Sequence, residues 1–391
     1  MAEKIKLGII GFGNMGSGHA KSIAVNGKCP EIELVAIADV KPERLKAAKE
    51  ILGDGVKLFD TAEAMLDSGL IDSCIVAVPH YDHPKYAMEC FKRHIHVMVE
   101  KPAGVYTKQV KEMIAASKET DTTFAMMFNQ RTNCIYRKMR ELVKSGEYGE
   151  IKRTNWIITN WYRPQIYYDS GDWRATWSGE GGGVLLNQCP HQLDLWQWIC
   201  GMPVKVPSHL HFGKWHDIEV EDDVTTYVEY ANGATGTFIT TTGDNPGTNR
   251  FEITLDRAKL VAEGEKLMLW ELPVATSEFT KTATTPFASQ KAEYKEVETD
   301  GENPQHSGVL NAFAAHILRG EPLIAGGEEG INGLTISNAM HLSSWLGKMI
   351  DIPFDDELYY NELMKRVATS RRKENVTSVV ADTSDSYAGT K

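Results

Sequence analysis

The stretch Ile5-Lys6-Leu7-Gly8-Ile9-Ile10-Gly11-Phe12-Gly13-Asn14-Met15-Gly16 decides the amino-terminal fold of this chain. Its first half, Ile5 to Ile10, is a short apolar run that predicts a buried strand. Its second half has the pattern G-x-G-x-x-G, and a helix is expected from Ser17 to Asn26. The order strand, glycine turn, helix predicts the opening unit of a parallel, doubly wound sheet.

The three glycines of this turn have different expected roles. Gly11 permits a tight turn, Gly13 permits a pyrophosphate to approach the backbone, and Gly16 permits close packing of the helix on the strand. The amino terminus of the following helix would stabilise the phosphate charge. We therefore assign the whole loop to a dinucleotide cofactor, namely Gly11, Phe12, Gly13, Asn14, Met15 and Gly16.

An acidic residue follows the next predicted strand, Glu33 to Ala38, near the expected spacing from the glycine turn. This residue, Asp39, is suited to binding the two hydroxyls of a ribose. Val40 follows it rather than an arginine, so nothing adjacent offsets the repulsion between Asp39 and a 2'-phosphate. The sequence therefore favours NAD over NADP, and Lys41 is the one reservation.

Strands and helices continue to alternate after Asp39. We expect helices over 42–52, 61–68, 84–93 and 108–120, and strands over 56–59, 73–78, 95–99 and 123–128. Six strands with helical crossovers predict a dinucleotide-binding domain over 1–130, with strand order 3-2-1-4-5-6.

Charged and imidazole side chains follow two of these strands. The fifth strand ends in Glu100-Lys101-Pro102, and the fourth ends in Pro79-His80, with His83 opening the next helix. Ligands bind at the carboxyl ends of strands in such sheets, so Lys101 is suited to hydrogen-bonding a hydroxyl or carbonyl that reacts. A pair that only solvates a turn explains Glu100 and Lys101 equally well from these residues alone.

Composition limits the class of protein. The chain has 391 residues, 42% hydrophobic and 24% charged, with a net charge of -11, which argues against nucleic acid or an anionic membrane as the main partner. No apolar stretch reaches the roughly 20 residues of a membrane span. The six cysteines form no C-x-x-C pair, which favours a reducing compartment. We expect a cytoplasmic protein with no signal peptide and no metal site.

The pattern changes after the first domain. A helix is expected over 133–146, followed by strands without intervening helices over 151–162, 204–215, 224–230, 236–242, 250–255, 258–263 and 266–271. Helices return over 308–319 and 330–346. We expect a second, α+β domain over 131–355, built on an antiparallel sheet, and then a helix and polar tail over 356–391.

Aromatic and polar residues are concentrated early in this second part. Four of the nine tryptophans fall between residues 156 and 177, close to Arg163 and Arg174. Aromatic faces beside polar groups suit a sugar ring, although core packing or a subunit interface explains them about as often. The residues assigned to substrate here are Trp161, Arg163 and Trp173.

A glycine-rich segment, Gly181-Gly182-Gly183, leads into a stretch expected to be a helix. Asn187 and His191 would lie in its first turns, and their spacing of four would place both on one face. A lone histidine on a helix is more often structural than catalytic. His306, just before a later helix, is a further candidate for this pocket.

Together these motifs resemble the Gfo/Idh/MocA oxidoreductases, named for glucose-fructose oxidoreductase and inositol dehydrogenase. The resemblance runs from about Lys6 to Asp355, and the motifs occur in the family order. It implies a Rossmann domain joined to a domain with a large open and mostly antiparallel sheet, an active site between them, and a homo-oligomer, a dimer or tetramer through that sheet.

The resemblance also implies roles for individual residues. Lys101 and His191 would be catalytic, and the cofactor would further contact Pro79, His80, His83, Glu100, Asn129, Trp173 and Arg174. The X-Pro bond after Lys101 is cis in relatives. The commoner family pattern has aspartate where this chain has Asn187, and an amide cannot take up a proton. Asn187 is therefore expected to hold a sugar hydroxyl.

The predicted activity is hydride transfer between NAD and a secondary hydroxyl of a sugar, glycoside or cyclic polyol, with the 3-hydroxyl as a candidate. Two alternatives remain open. One is a regulator that senses NAD or sugar without turnover, and the other is an NADP-linked reductase of a carbonyl compound.

Overall fold

The computed structural model describes residues 3–371 and 373, which form two separate β-sheets with helices around them. Within this described part of the chain, no helix is both long and apolar enough to cross a lipid bilayer. The polar tail expected after about residue 372 lies outside the described residues, except for Lys373. The domain limits 1–130, 131–355 and 356–391 remain a proposal.

The first sheet has six strands, and all of its pairs are parallel. Its strands are β1 (Ile5–Ile10), β2 (Ile32–Ala38), β3 (Lys57–Phe59), β4 (Ser73–Val76), β5 (His96–Val99) and β6 (Phe124–Met126). They lie in the order β3-β2-β1-β4-β5-β6, which confirms the predicted order. Nearly every side chain of β1 and β4 is buried, as expected for a sheet covered on both faces.

The helices around this sheet are α1 (Asn14–Ala20), α2 (Pro42–Leu52), α3 (Ala62–Leu66), α4 (His83–Phe91) and α5 (Thr107–Ser117). Helix α2 has the predicted bounds. Proline suits the first turn, because an N–H at position 42 would have no partner within the helix. Gly53 ends the helix at a φ of +69°, which glycine adopts readily. The first helix differs from the prediction, because it passes after Ala20 into a π-helical turn, Lys21–Val25.

The second sheet has ten strands and is antiparallel except for one pair. Its strands are β7 (Ile151–Ile158), β8 (Lys205–Val206), β9 (Ser208–Phe212), β10 (Glu221–Glu229), β11 (Thr235–Thr241), β12 (Asn249–Leu255), β13 (Ala258–Glu263), β14 (Lys266–Glu271), β15 (Glu293–Glu296) and β16 (Ile350–Asp351). The single strand predicted over 204–215 is two strands, because Pro207 has no N–H for a ladder.

The helices of the second part are α6 (Cys134–Lys144), α7 (Gln165–Tyr168), α8 (Pro190–Cys200), α9 (Thr276–Thr282), α10 (Gln305–Arg319), α11 (Gly330–Leu346) and α12 (Asp356–Val367). Helix α8 is buried along almost its whole length, and it packs against α6 and α11. It starts at Pro190, so the prediction that it holds Asn187 is wrong. The residue before a proline is disfavoured in helical conformation, and Cys189 accordingly lies outside the helix.

A buried ion pair joins the first domain to α8. Arg131, in the turn after β6, donates to both carboxylate oxygens of Asp194 at 2.8 and 2.7 Å. It also contacts Glu329 at 2.7 Å. Both Arg131 and Asp194 side chains are 1% exposed. This two-pronged contact fixes the position of α8, and with it His191, relative to the parallel sheet.

Candidate active site

The glycine turn after β1 fits a dinucleotide. A Cβ at Gly11, where φ is +94°, would lie 2.3 Å from the Ala77 carbonyl oxygen, and one at Gly16 would lie 1.9 Å from the Gly11 carbonyl oxygen. A Cβ at Gly13 would have room, because its nearest atoms would be those of the Arg44 guanidinium, 3.8 Å away. No side chain caps α1 at Gly13, so the amide groups of its first turn are available to a phosphate.

The side chains within this turn differ in their exposure to solvent. Phe12 is buried, Met15 is half-buried and Asn14 is exposed at the start of α1. Backbone amides are therefore the groups that the turn can offer to a pyrophosphate. The assignment of these three residues to the cofactor remains a proposal.

Asp39 lies at the end of β2 and its carboxylate is buried against the same turn. Its Oδ2 accepts from the Phe12 amide at 2.7 Å, and its Oδ1 accepts from the Lys41 amide at 2.9 Å. Arg44 also donates to Oδ2, at 3.3 Å. The residue adjacent to Asp39, Val40, carries no charge, as the sequence shows, but the first turn of α2 brings the more distant Arg44 back to the carboxylate.

Two histidines line the carboxyl end of β4. His83 is buried with Nδ1 2.6 Å from the Pro102 carbonyl oxygen and Nε2 2.8 Å from that of Val78. His80 lies with Nδ1 3.2 Å from the Glu180 carbonyl oxygen. Burial lowers the pKa of both rings. The His83 ring therefore lies between the turn after β5 and the end of β4. Pro79 is exposed, and its carbonyl oxygen accepts from the Asp82 amide at 2.9 Å.

The turn after β5 holds a buried carboxylate, and its Lys101-Pro102 bond is cis. Glu100 Oε1 lies 2.6 Å from His19 Nε2 on α1, and Oε2 accepts from the Lys101 amide at 3.1 Å. Burial alone raises the pKa of the Glu100 carboxyl, but the hydrogen bond and charge of His19, aided by His306 and Lys101, lower it to about 2. Glu100 is thus an anion that ties the turn to α1.

The Lys101 side chain crosses from the parallel sheet to the second domain. Its Nζ donates to the backbone carbonyl oxygen of Asn187 at 2.9 Å. Burial lowers the pKa of this amine, while Glu100 and Glu180 raise it and Arg174 lowers it further. The neutral form of Lys101 is therefore easier to reach than that of an exposed lysine.

His191 lies in the first turn of α8 and is 1% exposed. Its ring meets Phe128 edge-on at a centroid distance of 6.2 Å. Burial holds its pKa well below the usual value, and Lys101 is the neighbouring charge that lowers it most. Lys101 and His191 therefore interact electrostatically in this structure, and their joint action on one hydroxyl remains a proposal.

Asn187 lies in the turns before α8. Its Nδ2 donates to Glu180 Oε1, and its Oδ1 accepts from the Tyr167 hydroxyl at 3.4 Å. It does not share a helix face with His191, but its backbone contact with Lys101 keeps it in the same site.

Some aromatic residues of the segment 156–177 lie at the site, and others belong to the hydrophobic core. Arg174 donates to the Tyr167 hydroxyl at 2.8 Å and lies 4.8 Å from the ring centre of Trp173, which in turn meets His80 edge-on at 6.2 Å. Trp156 is instead fully buried and stacked on Phe251 at 4.2 Å. Trp173 and Arg174 are therefore brought to the site, and Trp156 is a core residue.

Arg163 lies near the rings of both Trp161 and Tyr167. Trp161 is buried, and the Arg163 guanidinium lies 5.7 Å from its ring centre and 5.2 Å from that of Tyr167. These two residues reach the pocket through Tyr167, which sequence reasoning did not assign to the site.

Asn129 contacts Gln305, and the next residue, His306, interacts electrostatically with Glu100. Asn129 is fully buried and donates to Gln305 Oε1. His306 meets His19 edge-on at 5.5 Å, and burial lowers its pKa to about 4. The structure thus groups His306 with His19 and Glu100.

Glu180 is a second residue, after Tyr167, that sequence reasoning did not assign to the site. It is 1% exposed, accepts from Asn187, and lies 3.9 Å from Arg174. Its position directly before Gly181 was the only available signal.

A parallel sheet with a dinucleotide turn, and a lysine and a histidine between two domains, define the class of NAD-dependent oxidoreductases. Comparison with known proteins agrees. A model described as an oxidoreductase family with an NAD-binding Rossmann fold matches residues 5–128, and a model of the GFO/IDH/MocA C-terminal domain matches residues 136–261. The chain belongs to the Gfo/Idh/MocA family of NAD-dependent oxidoreductases, which confirms the resemblance seen in its motifs.

Individual relatives are distant. Myo-inositol 2-dehydrogenase of Thermotoga maritima is 23% identical over 86% of this chain and 95% of its own length. D-glucoside 3-dehydrogenase of Escherichia coli K12 is 27% identical over 59% of this chain and 68% of its own. The crystal structure of the WlbA dehydrogenase of Bordetella pertussis, with NADH and UDP-GlcNAcA, aligns with a TM-score of 0.75 at 26% identity over 90% of this chain and 100% of that one.

Proposed function

We propose that this protein oxidises a secondary hydroxyl of a sugar, glycoside or cyclic polyol, with NAD as the hydride acceptor, and that the reacting position is the 3-hydroxyl, giving a keto-sugar. The observation that carries the proposal is the approach of Lys101 to the Asn187 carbonyl, beside His191 and the Tyr167 to Arg174 loop.

Each of these side chains has a distinct proposed role. NAD, when bound, accepts the hydride at its nicotinamide. The neutral Lys101 amine takes the hydroxyl proton. The lowered pKa of this amine favours the neutral form that the step needs. His191, neutral because burial lowers its pKa, hydrogen-bonds the same hydroxyl and orients it. Asn187 Oδ1 accepts from a neighbouring hydroxyl.

The cofactor and substrate contacts assigned from sequence have the following support. The Gly11–Gly16 turn and Asp39 suit the pyrophosphate and ribose, and His80, His83 and Glu100 contact the turns that follow β4 and β5 or lie in them. Asn129 is buried after β6 and donates to Gln305, and its contact with the cofactor is proposed from the resemblance alone. Trp173 and Arg174 offer an aromatic face beside a donor, as a sugar ring requires. The name of the E. coli relative supports the 3-hydroxyl.

Two competing functions predict different behaviour. A regulator that only senses NAD or sugar has no need of a buried lysine and histidine together. An NADP-linked carbonyl reductase is favoured by one observation, the Arg44 guanidinium 3.3 Å from Asp39. A direct comparison of the two cofactors decides this alternative.

We further propose a homo-oligomer assembled through the open sheet, and a cytoplasmic location. The sheet presents large exposed side chains at Phe212 and Tyr227, and Trp215 is exposed in the loop between β9 and β10. All six cysteines are free thiols, which suits a reducing compartment.

The decisive experiment uses the purified full-length chain. Copurifying nicotinamide is tested first, and absorbance at the NADH band is then followed while monosaccharides, glycosides and inositols are added with NAD or NADP. We expect NAD reduction by at least one glycoside, and a keto-sugar oxidised at carbon 3 in the product. Clear NAD binding with no turnover across the panel would favour the sensor instead.

A further inference from the structure

Glu180 is a buried carboxylate that the proposed chemistry leaves without a role. Its Oε2 accepts from the Ala175 amide at 2.6 Å, its Oε1 accepts from Asn187 Nδ2, and Arg174 lies 3.9 Å away. A carboxylate that is 1% exposed is costly unless it is fully paired. These three contacts pair it, and all of them lie within the loop that holds the candidate substrate residues.

The contact with Glu180 fixes which way the Asn187 amide points. Burial raises the pKa of the Glu180 carboxyl, while Arg174, the Ala175 amide, Asn187 and Lys101 lower it. As an ionised carboxylate Glu180 only accepts hydrogen bonds, and Asn187 accordingly turns its NH2 group toward it. Its Oδ1 is then left on the other side, where the Tyr167 hydroxyl donates to it. Asn187 therefore presents its side-chain oxygen as an acceptor on the side of Tyr167, which is the role that a donating sugar hydroxyl requires.

Glu180 also contributes to the charge around the Lys101 amine. Burial lowers the pKa of Lys101, and Glu100 and Glu180 are the carboxylates that raise it. Glu100 is already bound to His19 on the far side. The other titratable or charged groups that interact electrostatically with Lys101 are Arg174, Cys189, His80, His83, His191 and His306.

We propose that Glu180 is a positioning residue for the proposed dehydrogenase reaction: it holds Asn187 as a hydrogen-bond acceptor and keeps a negative charge beside Lys101. This inference rests on the proposed function.

Replacement of Glu180 by glutamine separates this role from simple support of the loop. Glutamine retains an oxygen that can accept from the Ala175 amide, but it lacks the charge and brings a second NH2 group toward Asn187. Loss of a negative charge beside an ammonium group lowers its pKa by about one unit or more. The Lys101 base is then neutral at lower pH. The acid limb, which is the fall of kcat/KM for oxidation on the low-pH side of its profile, therefore moves to lower pH.

The experiment compares Glu180→Gln, Glu180→Asp, Asn187→Asp and the exchange variant Glu180→Gln/Asn187→Asp in the full chain. We expect Glu180→Gln to raise the KM for the sugar about tenfold and to move the acid limb down by about one pH unit. Glu180→Asp should leave the limb in place. Asn187→Asp sets two carboxylates against each other and should lose at least tenfold in kcat/KM, and the exchange variant should recover most of that loss.

Glu219→Gln is the matched control, because Glu219 holds the same loop from outside through the Trp177 amide at 3.2 Å. It should not move the acid limb. If Glu180→Gln and Glu219→Gln lose activity alike with unchanged pH profiles, or the exchange variant recovers nothing, the positioning role is refuted.

A second readout does not depend on turnover. The protein is labelled with 13Cε-lysine, the Lys101 signal is assigned by its loss in Lys101→Met, and its shift is titrated with pH in the wild type and in Glu180→Gln. A lower midpoint in Glu180→Gln than in wild type supports the inference. If no sugar is oxidised, that result refutes only the proposed function. An identical midpoint in the two proteins overturns the inference.

Discussion

The Lys101 amine donates to the Asn187 backbone carbonyl at 2.9 Å, although 86 residues separate them along the chain. One partner follows a strand of the parallel sheet, and the other precedes a helix of the second domain. This contact brings the two halves of the site together, and it commits the amine to one position. The reactivity of Lys101 therefore depends on both domains.

Replacement of Lys101 by alanine should lower kcat by about a hundredfold to ten-thousandfold, because the proton acceptor is lost. NAD binding, measured by quenching of tryptophan fluorescence, should remain within about threefold. Lys118→Ala, whose side chain is 60% exposed, is the control and should behave as wild type. An equal loss of NAD binding and turnover would show that Lys101 has no specific chemical role.

Replacement of His191 by asparagine should lower kcat by about a hundredfold and raise the sugar KM, because the oriented donor beside Lys101 is lost. Burial keeps the wild-type ring neutral, so we expect no kinetic transition near the usual histidine pKa in the wild-type profile of kcat/KM. A transition there that disappears in His191→Asn would contradict this interpretation of the buried ring.

Replacement of Arg44 by alanine should increase the preference for NAD. The guanidinium beside Asp39 is the positive charge best placed to offset a 2'-phosphate, so kcat/KM for NADP should fall about tenfold more than for NAD. Arg319→Ala, far along the chain and paired with Glu31, is the control. Equal effects on the two cofactors would exclude Arg44 as a determinant of their discrimination.

The Glu100 carboxylate should make the free energy of unfolding fall in acid. Its pKa in the folded protein is about 2, below the ordinary value of 4.5, so its contribution is present above pH 4.5 and is lost as the pH falls toward 2. Between pH 6 and pH 3, wild type should lose about 2 kcal/mol more than Glu100→Gln in urea unfolding. His306, with a pKa of about 4, titrates in both proteins, and parallel curves would contradict the prediction.

The buried pair of Arg131 and Asp194 should be essential for stability. Arg131→Met leaves Asp194 buried without its partner and should cost about 3–5 kcal/mol in urea unfolding. Arg137→Met breaks the exposed pair with Asp300 and should cost at most about 1 kcal/mol. The double variant Arg131→Met/Asp194→Leu should recover much of the loss, and similar costs for the two single variants would refute the argument.

Much of the fold could be predicted because its signals are local. The glycine turn after β1, Asp39 after β2 and the alternation of strands and helices all act within a few residues of where they occur. The order of the six strands then follows from the handedness of the crossovers. Errors arose where a proline changed a local pattern, as Pro190 did for the start of α8 and Pro207 for the break between β8 and β9.

The sequence by itself determined a dinucleotide-binding sheet, a second, antiparallel sheet, and Lys101 at the end of a strand of the first, because residue type and short-range periodicity encode these. The open form of the second sheet and the catalytic role of His191 were implied by the resemblance of the motifs to a family. Only the tertiary structure decided what surrounds them: Arg44 on Asp39, His19 on Glu100, and Glu180 on Asn187. Such contacts depend on how turns and helix ends bring distant or unpatterned side chains together, and no local periodicity records that. The charge and hydrogen bonding of a buried site are set by its packing.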